Sequence, residues 1–161
     1  PSYEEPSYES YDDSYDAYDE PSYEEPAYEE PETYSYNAAD SGDVVSVAMN
    51  YLGYAYVWGG TSPAGFDCSG FVQYVYRQCG YYLTRTADTQ YYDGYAVSYD
   101  SLQAGDLVFF AGTYGSGISH VGIYIGGGQF IHAANSNDGV KISSLSESYY
   151  SARYYGARRI A

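Results

Sequence analysis

The runs Ser119-His120-Val121-Gly122-Ile123-Tyr124-Ile125 and Gln129-Phe130-Ile131-His132-Ala133-Ala134, joined by Gly126-Gly127-Gly128, read as a β-hairpin. Each run is rich in β-branched and aromatic residues, and the glycines supply the turn. With all three glycines in the loop, Ile125 faces Gln129, Gly122 faces His132 and His120 faces Ala134. The only two histidines of the chain are then diagonal neighbours on one face, with Cβ atoms about 7–8 Å apart or somewhat less. One imidazole can therefore orient the other, and Gly122 is expected to leave the space beside His132 open.

Working outward, residues 102–105 read as a turn into a strand Asp106-Leu107-Val108-Phe109-Phe110, and residues 140–143 and 155–160 as closing strands. Upstream the apolar period changes to that of helices. Asp43 is placed as an N-cap ahead of Val44, Val45, Val47, Ala48 and Leu52, and Gly53 stops that run. Residues 54–66, punctuated by Gly and Pro, read as a shaped loop. Residues 69–78 read as a helix with Gly80 as its C′ residue, and residues 86–92 as a short helix. Helices first and short strands after argue an α+β domain, with N-terminal helices packed on a central antiparallel β-sheet.

Composition divides the chain near residue 43. Residues 1–43 hold 15 of the 22 acidic residues and no Lys or Arg, so the formal net charge of -16 is -15 there and -1 on the remainder. That segment repeats a unit seen in Pro1-Ser2-Tyr3-Glu4-Glu5 and Pro21-Ser22-Tyr23-Glu24-Glu25 and holds no Val, Ile, Leu, Met, Phe or Trp. Recurrent Pro breaks helices, the carboxylates repel one another, and little apolar surface is available to offset ordering entropy. Residues 1–43 are expected to be a disordered acidic Pro/Tyr/Glu-repeat linker, reaching roughly 130 Å if extended at ~3.1 Å per residue. Residues 44–161 have the size of one domain. The chain opens on Pro rather than Met, which is read as the continuation of a longer product with an upstream domain. The absence of a basic patch argues against a nucleic-acid partner, and no apolar run is long enough to span a bilayer. A single Lys among many Tyr, Ser and Gly residues leans towards a secreted or cell-surface protein, expected as a monomer.

Cys68 in Phe66-Asp67-Cys68-Ser69-Gly70-Phe71 falls where a loop becomes a helix. A helix start favours a thiolate, and a thiolate with an imidazole in reach is a nucleophile. His120 is read as the base and His132 as the group that fixes its tautomer, although the roles can be exchanged on sequence alone. Cys79 lies eleven residues along the same helix, ~16 Å away at ~1.5 Å per residue, too far for a bridge to Cys68. Two competing readings are a three-ligand zinc site and a purely structural trio. The paired cysteines and H-x-E spacing of zinc deaminases are absent.

Five motifs carry a resemblance: Tyr56-Val57-Trp58-Gly59-Gly60, the Cys68 segment, Ala104-Gly105-Asp106-Leu107-Val108-Phe109-Phe110, Ser119-His120-Val121-Gly122-Ile123-Tyr124 and Phe130-Ile131-His132-Ala133-Ala134. In order, they make residues 44–160 similar to the NlpC-type cell-wall peptidases, papain-like cysteine peptidases of bacteria. The resemblance implies a Cys68–His120–His132 triad acting on peptidoglycan stem peptides, at the bond from γ-D-glutamate to diaminopimelate or lysine. It also implies that Tyr56 shapes the oxyanion or substrate site, and that Asp67 and Ser69 match positions that bind the free amine of the stem's L-alanine in some members. Against this, Asp67 can simply cap the helix, Ser69 can satisfy a first-turn amide, Asp106 can fix a turn, and Arg85 can pair with a substrate carboxylate or with a protein acid. The reaction calls for no metal or organic cofactor. An amidase or acyltransferase using the same trio, and a non-enzymatic surface-adhesion protein, are the alternative functions.

Overall fold

A computed structural model describes residues 43–160. The linker reading of residues 1–43 lies outside them except at Asp43, which is the first residue of helix α1 (Asp43–Met49) rather than its cap. This helix is shorter than its apolar spacing suggests. Beyond it the amides of Asn50 and Tyr51 donate to Val47 and Ala48, three residues back, at 3.1 and 3.0 Å. That tighter winding turns Leu52 out of the buried stripe of Val44, Val47 and Ala48, leaving it 41% exposed.

Strands β1 (Thr61–Ser62) and β2 (Gly65–Phe66) form a miniature hairpin inside the segment read as loop. Helix α2 (Cys68–Gln78) begins one residue earlier than its apolar pattern, because the Asp67 side chain caps it by accepting the Gly70 N–H at 2.7 Å. Its other end is a Schellman motif. Gly80 takes φ 93°, and the amides of Gly80 and Tyr81 reach back to Arg77 and Tyr76, both at 3.0 Å. Helix α3 (Ala87–Gln90) is a single turn opened by a capping box between Thr86 and Thr89.

Six strands follow: β3 (Tyr95–Val97), β4 (Leu107–Ala111), β5 (Ile118–Gly126), β6 (Gln129–Ala133), β7 (Val140–Ser144) and β8 (Tyr154–Arg159). They form one antiparallel sheet in the order β3-β8-β4-β5-β6-β7, so the domain is α+β with helices against a central antiparallel sheet. Neither β3 nor the short helix α4 (Ser148–Ser151) is foreseen from the sequence. Both faces of β4 are covered, as its continuous apolar run requires. Phe109 meets Tyr91 beside α3, and Phe110 meets Tyr150 of α4, each at 5.2 Å between ring centroids. On the α4 side Val108, Phe110, Phe130, Leu145 and Ala157 close a buried cluster.

The hairpin keeps the anticipated register at Ile123–Ile131 and Tyr124–Phe130, then departs from it. Gly126 pairs with Gln129, so the loop is Gly127-Gly128 alone and the register shifts past Ile125. Both loop glycines have positive φ, 62° and 77°, as a two-residue type I′ turn demands. The space beside His132 is also not open. A Cβ on Gly122 would meet Phe130 Cδ2 at 2.7 Å and His132 Cβ at 3.1 Å.

Asp106 sits just before β4 and fixes the preceding turn by accepting the Gln103 N–H at 2.8 Å. The same carboxylate, 2% exposed, binds Arg159 through Nε and Nη2, both at 2.8 Å. This bidentate pair joins the start of β4 to the end of β8.

Candidate active site

The start of α2 is held from three directions. A Cβ on Gly70 would collide with the Gly60 carbonyl, so this pair of glycines lets the helix start lie directly on the Gly59-Gly60 loop. The Asp67 N–H donates to that same Gly60 carbonyl at 2.9 Å, and the Asp67 carboxylate accepts the Gly59 N–H at 3.1 Å. Arg85 completes the brace. Its Nη2 pairs with Asp67 Oδ2 at 2.8 Å, and its Nη1 bonds Asp67 Oδ1 at 3.2 Å and Ser69 Oγ at 2.8 Å. In this structure Arg85 pairs with the protein's own acid, and Asp67 is both cap and ion-pair partner. Gln90, fully buried, donates to the carbonyls of Ser69 and Thr84 at 3.2 and 2.8 Å and anchors the Arg85 loop to the helix start.

Cys68 is the first residue of this helix and is 6% exposed. Its thiol points at the Ser119 carbonyl, 3.9 Å away, one residue before His120. Burial and then the Asp67 carboxylate push the thiol up to about 12, against the pull of the Val121 and Ser69 amides and of Arg85. Desolvation therefore outweighs the helix start, and the resting group is a thiol rather than the thiolate anticipated from the helix alone. Neither Cys68 nor Cys79 is in a disulfide.

The two histidines are bonded to each other. His120 Nε2 and His132 Nδ1 are 2.8 Å apart, and His132 Nε2 lies 2.9 Å from Ser143 Oγ. Three of the four ring nitrogens are thus engaged. The fourth, His120 Nδ1, is buried with no hydrogen-bond partner. Burial lowers His120 to about 3. His132 is held well below 6.5 by burial and then by the neighbouring His120 and Lys141. At neutral pH both rings are uncharged.

Burial, followed by the nearby Cys68 and Tyr114, raises the Tyr56 phenol. Tyr114 escaped the sequence reading because its Gly- and Ser-rich loop shows no period. Its hydroxyl donates to the Ala134 carbonyl at 2.7 Å, and its ring packs against His120 at 5.8 Å and Trp58 at 6.0 Å. Trp58 and Tyr114 are 58% and 40% exposed, so they offer an aromatic rim beside the buried thiol and imidazoles. Ser143 and Tyr150 were also missed. Among the described residues no group of three His, Cys, Asp or Glu side chains is arranged to hold a metal ion. The arrangement is suited to nucleophilic and proton-transfer chemistry: a thiol at a helix N-terminus, a neutral imidazole with a vacant nitrogen, and first-turn amides to receive negative charge.

The chain is similar to proteins already known. Among curated proteins, the Gamma-DL-glutamyl hydrolase of Bacillus subtilis is 49% identical over 118 residues, which cover 72% of this chain and 28% of that protein. The Gamma-D-glutamyl-L-lysine dipeptidyl-peptidase of the same species is 40% identical over 118 residues, covering 73% of this chain and 40% of that one. The chain thus spans well under half the length of these relatives. The crystal structure of the NlpC/p60 domain of the peptidoglycan hydrolase SagA superposes with a TM-score of 0.64 at 39% identity, covering 74% of this chain and 97% of that one. The fold is accordingly that of the NlpC/P60 papain-like domains. With residues 53–159 matching the NlpC/P60 family, and the helix start and strand hairpin arranged as above, the chain belongs to the NlpC/P60 family.

Proposed function

We propose that this chain is a peptidoglycan hydrolase that cuts stem peptides at the bond from γ-D-glutamate to diaminopimelate or lysine, with Cys68 as nucleophile, His120 as base and His132 as the orienting third group. The observation that carries this is the unpartnered His120 Nδ1, next in the chain to the Ser119 carbonyl at which the Cys68 thiol points. Because His132 spends both nitrogens on His120 and Ser143, the geometry favours His120 over His132 as the base. Membership of the family and the names of the relatives support the substrate class.

In this mechanism the Cys68 proton passes to His120 Nδ1 as the sulfur adds to the γ-carbonyl carbon. The oxyanion is met by amides at the start of α2, which have no helical acceptor of their own. The C–N bond breaks as His120 returns the proton to the leaving amine. Water then attacks the thioester, giving its proton to His120, and the carboxylic acid and free thiol are released. Asp67, Ser69 and Arg85 brace the nucleophile helix, and Tyr56 with Tyr114 shapes the wall beside the thiol. The working location is outside the cell, at the wall.

A second substrate has support in the similarity to a Gamma-DL-glutamyl hydrolase: a γ-linked glutamate polymer presents the same acyl group. The charge of -15 on residues 1–43 disfavours so anionic a substrate at low salt. Digestion of purified peptidoglycan, with fragments identified by mass spectrometry, distinguishes these readings. New amino termini on diaminopimelate or lysine support the proposal. Intact stems released from muramic acid identify an amidase and overturn it, as does hydrolysis of the polymer alone. Cys68→Ala should abolish cleavage while circular dichroism is unchanged; persistent cleavage refutes the nucleophile.

A further inference from the structure

Two aromatic side chains are tied to the neighbourhood of the thiol by separate routes. Trp58 precedes Gly59, whose N–H donates at 3.1 Å to the carboxylate of Asp67, the residue before Cys68. Tyr114 is held by Ser119, whose carbonyl faces the Cys68 thiol at 3.9 Å. Ser119 Oγ accepts the amides of Thr113 and Tyr114 at 3.0 and 3.3 Å and lies 2.6 Å from Thr113 Oγ1. At the base of this loop the Gly112 N–H donates to the Gly117 carbonyl at 3.0 Å, and the two glycines turn the chain with φ of 77° and 75°. The far end of Tyr114 is fixed too, through its hydroxyl on the Ala134 carbonyl at 2.7 Å. We propose that Tyr114 and Trp58 are specificity-determining residues, an aromatic corner that takes the side-chain methylenes of the residue on the leaving-group side of the scissile bond. These are the methylenes that lysine and diaminopimelate share. The proposal rests on the reading of His120 as the base and of a γ-D-glutamyl bond as the one cut.

The direction follows from the reaction. Negative charge on the carbonyl oxygen must reach the amides at the start of α2, and the departing nitrogen must reach His120 to collect a proton. The departing residue therefore lies on the imidazole side of the sulfur. That side is walled by Tyr114, whose ring stands edge to face against His120 with centroids 5.8 Å apart. Trp58 meets Tyr114 at 6.0 Å and 83°, so the two rings form a right-angled corner and not a stack. Both are exposed whereas Cys68 and His120 are buried, which leaves open apolar surface beside a sheltered reactive pair. An unbranched aliphatic chain laid in that corner removes apolar area from water on both partners. Tyr114 is also fixed before any substrate arrives, since its backbone and its hydroxyl are both hydrogen-bonded, so little ordering is left to oppose binding. The charged groups joined at the start of α2, Asp67 and Arg85, are spent on each other, and the corner discriminates by apolar contact.

The test compares the tripeptide L-Ala-γ-D-Glu-L-Lys with the same peptide ending in norleucine or in glycine, by kcat/KM on wild type and Tyr114→Ala. A methylene in a closed pocket is worth roughly 10–200-fold, so in this open corner the whole chain should favour lysine and norleucine about tenfold over glycine. Tyr114→Ala should collapse that ratio, whereas Tyr114→Phe, which keeps the ring, should retain most of it. Trp58→Ala, at an exposed position, should also lower the ratio, and it carries the test if Tyr114→Ala fails to fold. Tyr114→Ala protein that loses activity on all three peptides alike overturns the proposal, because the ring would then only support His120. A ratio that persists overturns it too, as does norleucine ranking with glycine, which would assign recognition to the ammonium. Calorimetric Kd values on Cys68→Ala protein give the comparison without turnover. The lysine peptide should bind about tenfold tighter than the glycine peptide, and the Cys68→Ala, Tyr114→Ala double variant should lose the difference. If wild type cleaves none of the three, the reading of the bond falls, and the binding comparison still decides the corner.

Discussion

The uncharged histidine pair makes the fold acid-sensitive in a definite window, and His120→Gln isolates the effect. In the folded chain burial lowers His120 from 6.5 to about 3, whereas unfolding returns it to an ordinary imidazole. Below pH 6.5 the unfolded chain binds a proton that the folded chain refuses. The stability contributed by keeping the ring neutral is therefore complete above pH 6.5 and is lost as pH falls towards 3. The slope is about 1.4 kcal/mol per pH unit for one proton, so roughly 2 kcal/mol disappears between pH 6.5 and 5 and about 5 kcal/mol by pH 3. His132, also held below 6.5, adds in the same direction. Urea unfolding followed by circular dichroism at pH 7.5, 6.5, 5.5 and 5.0 gives the curve for wild type and for His120→Gln. The upper part of this range lies above carboxylate titration, so the two curves should converge as pH falls. Curves that stay parallel from pH 7.5 to 5.0 refute the reasoning, since the imidazole would then be as protonatable folded as unfolded.

Two further substitutions test what supports the site. Asp106→Asn removes the charge from a buried bidentate pair with Arg159 and should cost about 3 kcal/mol; a urea midpoint within error of wild type would show that the pair contributes nothing net. Gly70→Ala forces a Cβ into the Gly60 carbonyl and should cost roughly 1–3 kcal/mol, with a fall in kcat because the strain is relieved by moving the residue two positions from Cys68. Unchanged stability and rate together would mean that the helix start and the glycine loop are not in rigid contact.

What the sequence discloses follows from how local each signal is. The hairpin, the helix start at Cys68 and the Gly80 stop are written in patterns a few residues long, and each is found within a residue or two of its expected place. The exchange of Gly126-Gly127-Gly128 for a two-residue loop was not legible, since three glycines carry no mark of which one stays in the ladder. Arg85 on Asp67 and Arg159 on Asp106 join residues 18 and 53 positions apart, and no spacing rule connects them. Ser143 is one of several serines in a short strand, and α4 is one turn of Ser and Tyr without an apolar period. The His120–His132 contact was legible because both residues stand on one hairpin, whereas the link beyond His132, to Ser143, depends on β7 docking against it.

Strand β8 is the last in the described chain yet lies inside the sheet, between β3 and β4. During synthesis, β4 to β7 can pair as a meander of neighbours, but β4 keeps one bare edge and β3 has no partner until residues 154–159 have emerged. The Arg159 guanidinium that closes on Asp106 arrives with the end of that strand. Completion of the fold is thus a late, long-range event, of the kind that slows folding and leaves an edge exposed to other chains. A chain clipped before Tyr154 would hold Cys68 and the β4–β7 meander with His120 and His132, but would lack the strand that covers β4 and seats β3. For a protein proposed to hydrolyse peptidoglycan, this topology makes completion of the sheet a later step than assembly of the histidine hairpin.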